Sequence, residues 1–338
     1  SDSNGNVTTL GRGGSDYTAS IIAFGVKAKE LEIWTDVSGM MTADPNLVRN
    51  SKIINDISYE EALELSHFGA KVIYPKTIAP AMAATIPIII KNSFVPEDKG
   101  TRIHSGPAAN GTPIKGISSM RQLAILTLEG SGMIGIPGFS KRLFEALANE
   151  KINVILITQS SSEYSICVVV ERAVSGFAKA VVDSAFAMEI EVGKVNPIKV
   201  ETELAIVALV GDKMKSRAGM SGKMFSALGR NNINVRAIAQ GSSERNISAV
   251  IAESDVKKAL NVLHEEFFEN TYKQINLFIC GTGNVGKRLI AQLGAQQEYL
   301  RKKMRLQFRI IGLANSRKMA FSESGFDMQQ WEAALSDG

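Results

Sequence analysis

Two stretches of this 338-residue chain are near copies of one another. Ile152–Ile166, INVILITQSSSEYSI, returns as Ile233–Ile247, INVRAIAQGSSERNI, 81 positions further on. The same offset relates Leu123-Ala124-Ile125 to Leu204-Ala205-Ile206, Gly138 to Gly219, Ser140 to Ser221, Phe144 to Phe225 and Gln159 to Gln240. A register held without a gap over that span marks a duplicated supersecondary unit. Two copies are too few for a solenoid, so the middle of the chain is expected to fold as a paired module.

Each copy reads strand, helix, strand, strand, helix. In the first, Leu123–Leu128 is a strand, and Ile136, Phe139, Leu143 and Leu147 mark one helix face at steps of three and four. Ile152–Thr158 and Tyr164–Val170 read as strands and Ala173–Phe186 as a second helix. The second copy repeats the order at Leu204–Val210, Met220–Leu228, Ile233–Ala239, Asn246–Ile251 and Val256–Phe267. Glu189–Val200 offers a closing strand, which completes a ferredoxin-like plan, and two such units side by side can join their sheets. The shared Gln-x-Ser-Ser-Glu places Gln159 and Gln240 at strand ends, each ahead of a tight polar turn. A primary amide both donates and accepts, which suits the ammonium and the carboxylate of an amino acid. No general base, nucleophile or metal cluster accompanies it, so the motif points to binding without catalysis. The same residues also satisfy plain hairpin-turn chemistry, repeated because the unit was duplicated.

The length allows two or three domains, and 45% apolar with 21% charged residues is ordinary for a globular chain. The net charge of +4 is dispersed, so no nucleic-acid partner is expected. The compact basic run Arg301-Lys302-Lys303-Met304-Arg305 reads as a solvated helix end ahead of a strand. Cys167 and Cys280 lie in apolar strand-like runs, as reduced thiols of a cytoplasmic protein would. His67, His104 and His264 are scattered and no metal site is expected. No apolar run approaches a membrane span, so no membrane partner is expected either. Ser1 stands where an initiating Met would, and the first nine residues are polar, which reads as an excised piece of a longer protein.

Ahead of the repeat, alternating strands and helices indicate an α/β segment. Leu10-Gly11-Arg12-Gly13-Gly14-Ser15-Asp16 precedes a helical pattern from Tyr17 to Lys27, with Ser15 or Asp16 as its cap and glycines that let backbone N–H groups approach an anion. Leu31–Trp34 is a strand, and Thr35 and Asp36 follow at its C-terminal end, where open α/β sheets place ligand contacts. Ile57–Phe68 reads as a helix capped by Ser58 and stopped by Gly69; Val72–Pro75 and Ile86–Lys91 read as strands.

The four motifs GRGGSDYTA, EIWTDVSGMMTADP, ELSHFGAKVIYP and IKNSF, in this order, resemble the C-terminal half of an aspartokinase catalytic domain of the amino-acid kinase fold. The resemblance implies phosphoryl transfer from ATP, with Mg, to the β-carboxylate of aspartate. Arg12 would hold the substrate carboxylate and Asp16 would lie at the substrate end, with Gly13, Gly14 and Ser15 beside them. Thr35, Asp36 and Lys71 match positions around the nucleotide, Lys71 being suited to charge building on the phosphates. Met41 stands where the family has Tyr, and Asn46 where it has Arg. The family's Lys-Phe-Gly-Gly opening has no counterpart in residues 1–10, so this chain alone is expected to show no aspartokinase activity.

The repeat itself resembles the tandem ACT pair of aspartokinases, ITQSSSEYSI and IAQGSSE matching the threonine-responsive form. That implies effector contacts from Gln159, Gln240, Ser160, Ile136 and Gly138, backbone donors in loops 133–138 and 215–221, and association into a homo-oligomer. The effector implied is L-threonine, with related kinases answering to lysine, and the module needs no cofactor.

In the last stretch Ile275–Cys280 reads as a strand, and Gly281-Thr282-Gly283-Asn284-Val285-Gly286 opens a helix through Leu293, the setting a dinucleotide fingerprint requires. Leu306–Leu313 is the next strand, followed by Asn315-Ser316-Arg317-Lys318 in place of an acid. GTGNVG with LANS resembles the start of the homoserine dehydrogenase domain in bifunctional aspartokinase–homoserine dehydrogenases, and implies NAD(P) held by Gly281, Gly283, Asn284, Val285, Gly286 and Asn315, the basic pair tolerating a 2′-phosphate. One βαβ unit is short of a whole Rossmann sheet.

The expected organisation is α/β and α+β. Residues 1–110 form part of an amino-acid kinase fold, 111–200 and 201–273 two ferredoxin-like βαββαβ ACT units, and 274–338 an incomplete Rossmann unit. The expected role is effector binding without turnover, in a fragment of an enzyme that phosphorylates aspartate and reduces aspartate semialdehyde. A free-standing amino-acid-sensing or oligomerising ACT protein is the alternative.

Overall fold

The left-handed residues of the backbone repeat with the period of the sequence. In the computed structural model Gln122 and Glu203 have φ of 59° and 57°, Gly138 and Gly219 of 105° and 88°, and Lys151 and Asn232 of 57° and 53°. The structure describes residues 5, 13–69, 72–106, 113–212, 214, 217–241, 245–269, 273–304, 306–322, 325–328 and 330–336. It forms two compact units, Ser1–Phe268 and Glu269–Gly338.

The first unit opens with α1 (Gly14–Gly25), β1 (Leu31–Thr35), β2 (Asp56–Ser58), α2 (Tyr59–His67), α3 (Pro75–Ala83), β3 (Ile88–Asn92) and β4 (Thr101–His104). Its four strands lie in the order β1-β3-β4-β2. Neither Ser15 nor Asp16 caps α1; the cap is Gly13, left-handed at φ 72° and without a side-chain bond, so both residues sit in the first helical turn. Helix α2 starts as its sequence requires. Ser58 and Glu61 form a reciprocal capping box. The strand expected at Val72–Pro75 is absent: Pro75 occupies the first turn of α3, where its fixed φ suits a helix start, and the β-branched residues before it only lead in.

The repeat follows as β5 (Gly116–Glu129), α4 (Phe139–Asn149), β6 (Leu156–Gln159), β7 (Ser165–Glu171), α5 (Ser175–Ala185), α6 (Ala187–Glu191), β8 (Lys199–Val210), α7 (Met220–Arg230), β9 (Val235–Gln240), β10 (Asn246–Ala252) and α8 (Val256–Phe268). All six strands join one sheet, β6-β7-β5-β8-β10-β9. The antiparallel pair β5·β8 is its centre; the two strands stay paired throughout, and their register shifts around the left-handed residues. Gly116–Met120 pairs with Ile206–Val210, beside β10, whereas Ile125–Thr127 pairs with Lys199–Glu201, beside β7. The first unit of the repeat is thus closed by the start of β8, and the second by the start of β5. Period-two alternation sorts the strand residues. Leu126 and Leu128 meet α4 and α5, Val207 and Leu209 meet α7 and α8, and Leu123, Ile125, Leu204 and Ile206 form a core on the opposite face.

Three expected boundaries move. Ile136 lies before α4 and is 53% exposed. Glu189–Glu191 is helical, so the closing strand begins only at Lys199. Ile152 and Ile233 are not strand residues. Each N–H bonds the carbonyl of Leu147 or Leu228, and the left-handed residue before it bonds Ala148 or Gly229. That is a Schellman ending with a buried apolar contact, and it explains why Ile recurs there.

The second compact unit holds β11 (Lys273–Cys280), α9 (Asn284–Met304), β12 (Leu306–Ala314), β13 (Met319–Phe321) and α10 (Trp331–Ser336), with strand order β11-β12-β13. Strands β11 and β12 are parallel, joined through α9, as a βαβ crossover demands; α9 runs on past Leu293 to Met304, and β13 adds an antiparallel edge.

Candidate functional site

The turn between β5 and α4 encloses a cavity of about 280 Å³ against the end of β6. Gly130 bonds Tyr164 and Met133 folds into the core, so the loop returns along the sheet edge, and left-handed Gly135 and Gly138 aim it into α4. Ile136, Gly138 and Gln159 meet at this cavity, with Ser140, Glu163 and Ile166. Because Gly138 offers no side-chain cap, the first N–H groups of α4 are left to a ligand or to solvent. Glu163 accepts the Gly135 N–H at 3.0 Å and brings a carboxylate to the rim. The cavity therefore presents donors at one side and an amide with a carboxylate at the other. Glu129, where β5 enters the loop, is held below the ordinary carboxylate range chiefly by the hydrogen bond from Lys199. Ser160 does not line the cavity; its N–H and hydroxyl build the β6–β7 turn with Ser165. Glu163 was missed in the sequence, although an acid after the turn recurs in both copies as Glu163 and Glu244.

The second copy is arranged differently. Gln240 accepts the Ser221 hydroxyl at 2.9 Å, and the loop after β8 is held by α2: Asp212 donates its N–H to Glu61 at 2.9 Å and accepts the Ser58 hydroxyl at 2.9 Å.

At the start of the chain the first turns of α1 and α3 meet. A Cβ on Gly13 would fall 2.8 Å from the Tyr74 Cβ, so Gly13 requires glycine for space as well as for its left-handed φ. Gly14, Ser15 and Asp16 continue this helix start, with Ser15 donating to Asp16 at 3.3 Å. Thr35 and Asp36 stand together at the end of β1, the Thr35 hydroxyl 3.1 Å from the Asp36 carboxylate. Arg12 and Lys71 lie outside the described residues.

In the second compact unit the three glycines separate by task. Gly281 is left-handed at φ 102°, Gly283 has open space where a Cβ would stand, and a Cβ on Gly286 would meet the Gly281 carbonyl at 2.0 Å. This is the division a dinucleotide turn needs: a tight turn, close approach of pyrophosphate, and close packing of helix on strand. Asn284 and Val285 open α9. Asn315 accepts the N–H groups of Arg317 and Lys318, each at 2.8 Å, and Gly281 bonds Ala314, which sets both turns at the same sheet end. The residues present fit a nicotinamide dinucleotide.

Residues 1–92 match the amino acid kinase family model, and residues 126–186 and 207–267 match the ACT domain model. The fold and these matches define an amino acid kinase segment joined to a tandem ACT module. Similarity extends further along the chain. The bifunctional aspartokinase/homoserine dehydrogenase of Haemophilus influenzae is 42% identical over 331 residues, 98% of this chain and 40% of that protein. A chloroplastic counterpart from Zea mays is 40% identical over 332 residues, 97% of this chain and 36% of that protein. The crystal structure of Clostridium acetobutylicum aspartate kinase superimposes with a TM-score of 0.71 at 34% identity, covering 78% of this chain and 60% of that one. Nearly the whole chain matches a segment of the bifunctional aspartokinase/homoserine dehydrogenases. It spans about two-fifths of the length of these curated relatives.

Proposed function

We propose that this chain is the regulatory part, with flanking catalytic segments, of a cytoplasmic enzyme that phosphorylates aspartate with Mg-ATP and reduces aspartate semialdehyde to homoserine. Its own task is to bind L-threonine and associate through its ACT units. The carrying observation is the cavity at the start of α4. The positive end of that helix suits an α-carboxylate, and Gln159 with Glu163 suits an ammonium. About 280 Å³ accommodates a small amino acid.

On the kinase side Gly13, Gly14 and Ser15 offer backbone donors at the α1 start, with Asp16 and Arg12 toward aspartate and Thr35, Asp36 and Lys71 toward the nucleotide. In the second compact unit Gly281, Gly283, Asn284, Val285 and Gly286 would hold the pyrophosphate and Asn315 would lie near the ribose, with Arg317 and Lys318 admitting NADP. The bound nicotinamide would supply hydride; the chain's residues orient it. Oligomerisation is supported by the outer edges of β6 and β9, where Ile157 and Ile238 are about half exposed.

Calorimetric titration of the chain with threonine, lysine and methionine is the test. Saturable heat with threonine alone is the expected result. Heat with lysine instead, or with none of the three, would sink the assignment.

A further inference from the structure

The loop that follows Thr35 and Asp36 does not stay with the kinase-like sheet. Ala43 and Val48 are buried in the core of the second repeat, beside Leu260 and Leu263 of α8. Asn261, also on α8, donates to the Leu47 carbonyl at 2.9 Å. At the centre lies Thr42, which is 7% exposed and makes four hydrogen bonds. Its N–H donates to the Lys52 carbonyl and its hydroxyl accepts the Lys52 N–H, both at 2.9 Å. The hydroxyl also lies 2.9 Å from Nε2 of His264, a fully buried residue of α8. The fourth bond leaves the loop in another direction: the Thr42 carbonyl accepts the Ile117 N–H of β5 at 2.8 Å.

Strand β5 gives that last bond its significance. From Ile117 it runs to Glu129, shifting register against β8 on the way, and there enters the loop that encloses the cavity. At about 3.4 Å per residue the strand spans roughly 40 Å. Its one left-handed residue is Gln122. The strand stays hydrogen-bonded to β8 on both sides of that residue, so it links the loop to the cavity through one continuous hydrogen-bonded element.

We propose that Thr42 and His264 are positioning residues: they clamp the nucleotide-side loop to the second repeat, at the point where β5 delivers the state of the amino-acid cavity. The proposal rests on the threonine-binding function above. By linkage, whatever the cavity's ligand does to the loop, a change at the loop does to the ligand's affinity.

Hydrogen–deuterium exchange on the full 338-residue chain tests it, with threonine as the probe. Thr42→Val keeps the shape and removes the hydroxyl; Thr42→Ser keeps the hydroxyl. Without threonine, amides of residues 41–52 should exchange about tenfold faster in T42V than in the wild type, the effect of a lost buried hydrogen bond, and within about twofold in T42S. Saturating threonine should change the exchange of those amides in the wild type and in T42S but not in T42V. Exchange in T42V equal to wild type, or threonine binding that leaves the wild-type loop unchanged, overturns the proposal. If the wild type gives no heat with threonine, the assigned function falls, and the effector-free comparison of T42V with T42S decides the positioning role by itself.

Discussion

The two halves of the repeat share a backbone and differ in what that backbone is committed to. Their equivalence reaches beyond φ angles. Arg142 of α4 lies 4.5 Å from the Phe186 ring centroid and bonds the Ala185 carbonyl; Lys223 of α7 lies 4.6 Å from Phe267 and bonds the Glu266 carbonyl. Each cation stands 81 positions from its counterpart, as does each ring. Yet the loop after β5 encloses a cavity, whereas the loop after β8 is fastened to α2 and its glutamine is engaged by Ser221. Duplication supplied two sites of one shape. Contact with the kinase-like segment turned the second into a joint.

Substitution of the two glutamines is the sharpest way to break that contrast. Gln159→Ala should lower threonine affinity by about tenfold or more, the loss of a hydrogen bond to a charged group, and Gln240→Ala by less than about threefold. Equal losses in calorimetric titrations would mean that both copies bind alike.

A smaller effect separates the shared contacts. Each cation also pairs with a carboxylate, Arg142 with Glu189 and Lys223 with Glu266, and in the first copy Arg142, by its hydrogen bond, holds the Glu189 carboxyl below the usual range. A carboxyl depressed in the folded state stabilises it above the ordinary value of about 4.3, and that stabilisation is lost as pH falls through the lower folded value. Wild type should therefore exceed Glu189→Gln in thermal stability at pH 7, by under about 1 kcal/mol for so accessible a pair, and lose the advantage below about pH 4. A difference that persists unchanged to pH 3 would assign the effect to packing.

The smallest effect is one that should be the same in both copies. Lys151→Gly and Asn232→Gly each relieve a left-handed side chain, offset in part by glycine's chain entropy, so each should raise stability by about 0.5 kcal/mol. Unequal melting shifts would show that matching angles do not imply matching strain.

Much of this was legible because duplication prints the same physical demand twice. Gly138 and Gly219 and the Gln at each strand end stood out on that account; Ile152 and Ile233 did too, but read as strand starts where they close the preceding helices. The cavity's Ile136, Gly138 and Gln159 were readable as a group, while Ser160 was drawn in only by adjacency to Gln159. The register shift between β5 and β8 left no trace, since apolar alternation runs through Gln122 and Glu203 with no glycine to flag the bend. Residues 42–48 read as an ordinary loop, because burial in a distant core has no period of its own. Val72–Tyr74 looked like a strand because β-branched and aromatic residues describe a lead-in to a proline-started helix equally well. A division between residues 200 and 201 falls within β8, a strand that serves both halves of one sheet.

That sharing of strands has a consequence for how such a chain is made and remodelled. The first unit is contiguous, complete once Glu201 has left the ribosome. The second is split around it: Gly116 is synthesised 94 residues before its partner Val210 and must wait unpaired while the whole first unit emerges and folds. Excision of residues 121–203 would bring Met120 beside Leu204, leaving a short hairpin that closes the remaining unit by itself. A lineage could thus gain or lose the ligand-bearing copy in one recombination event while keeping the copy that grips the kinase-like segment.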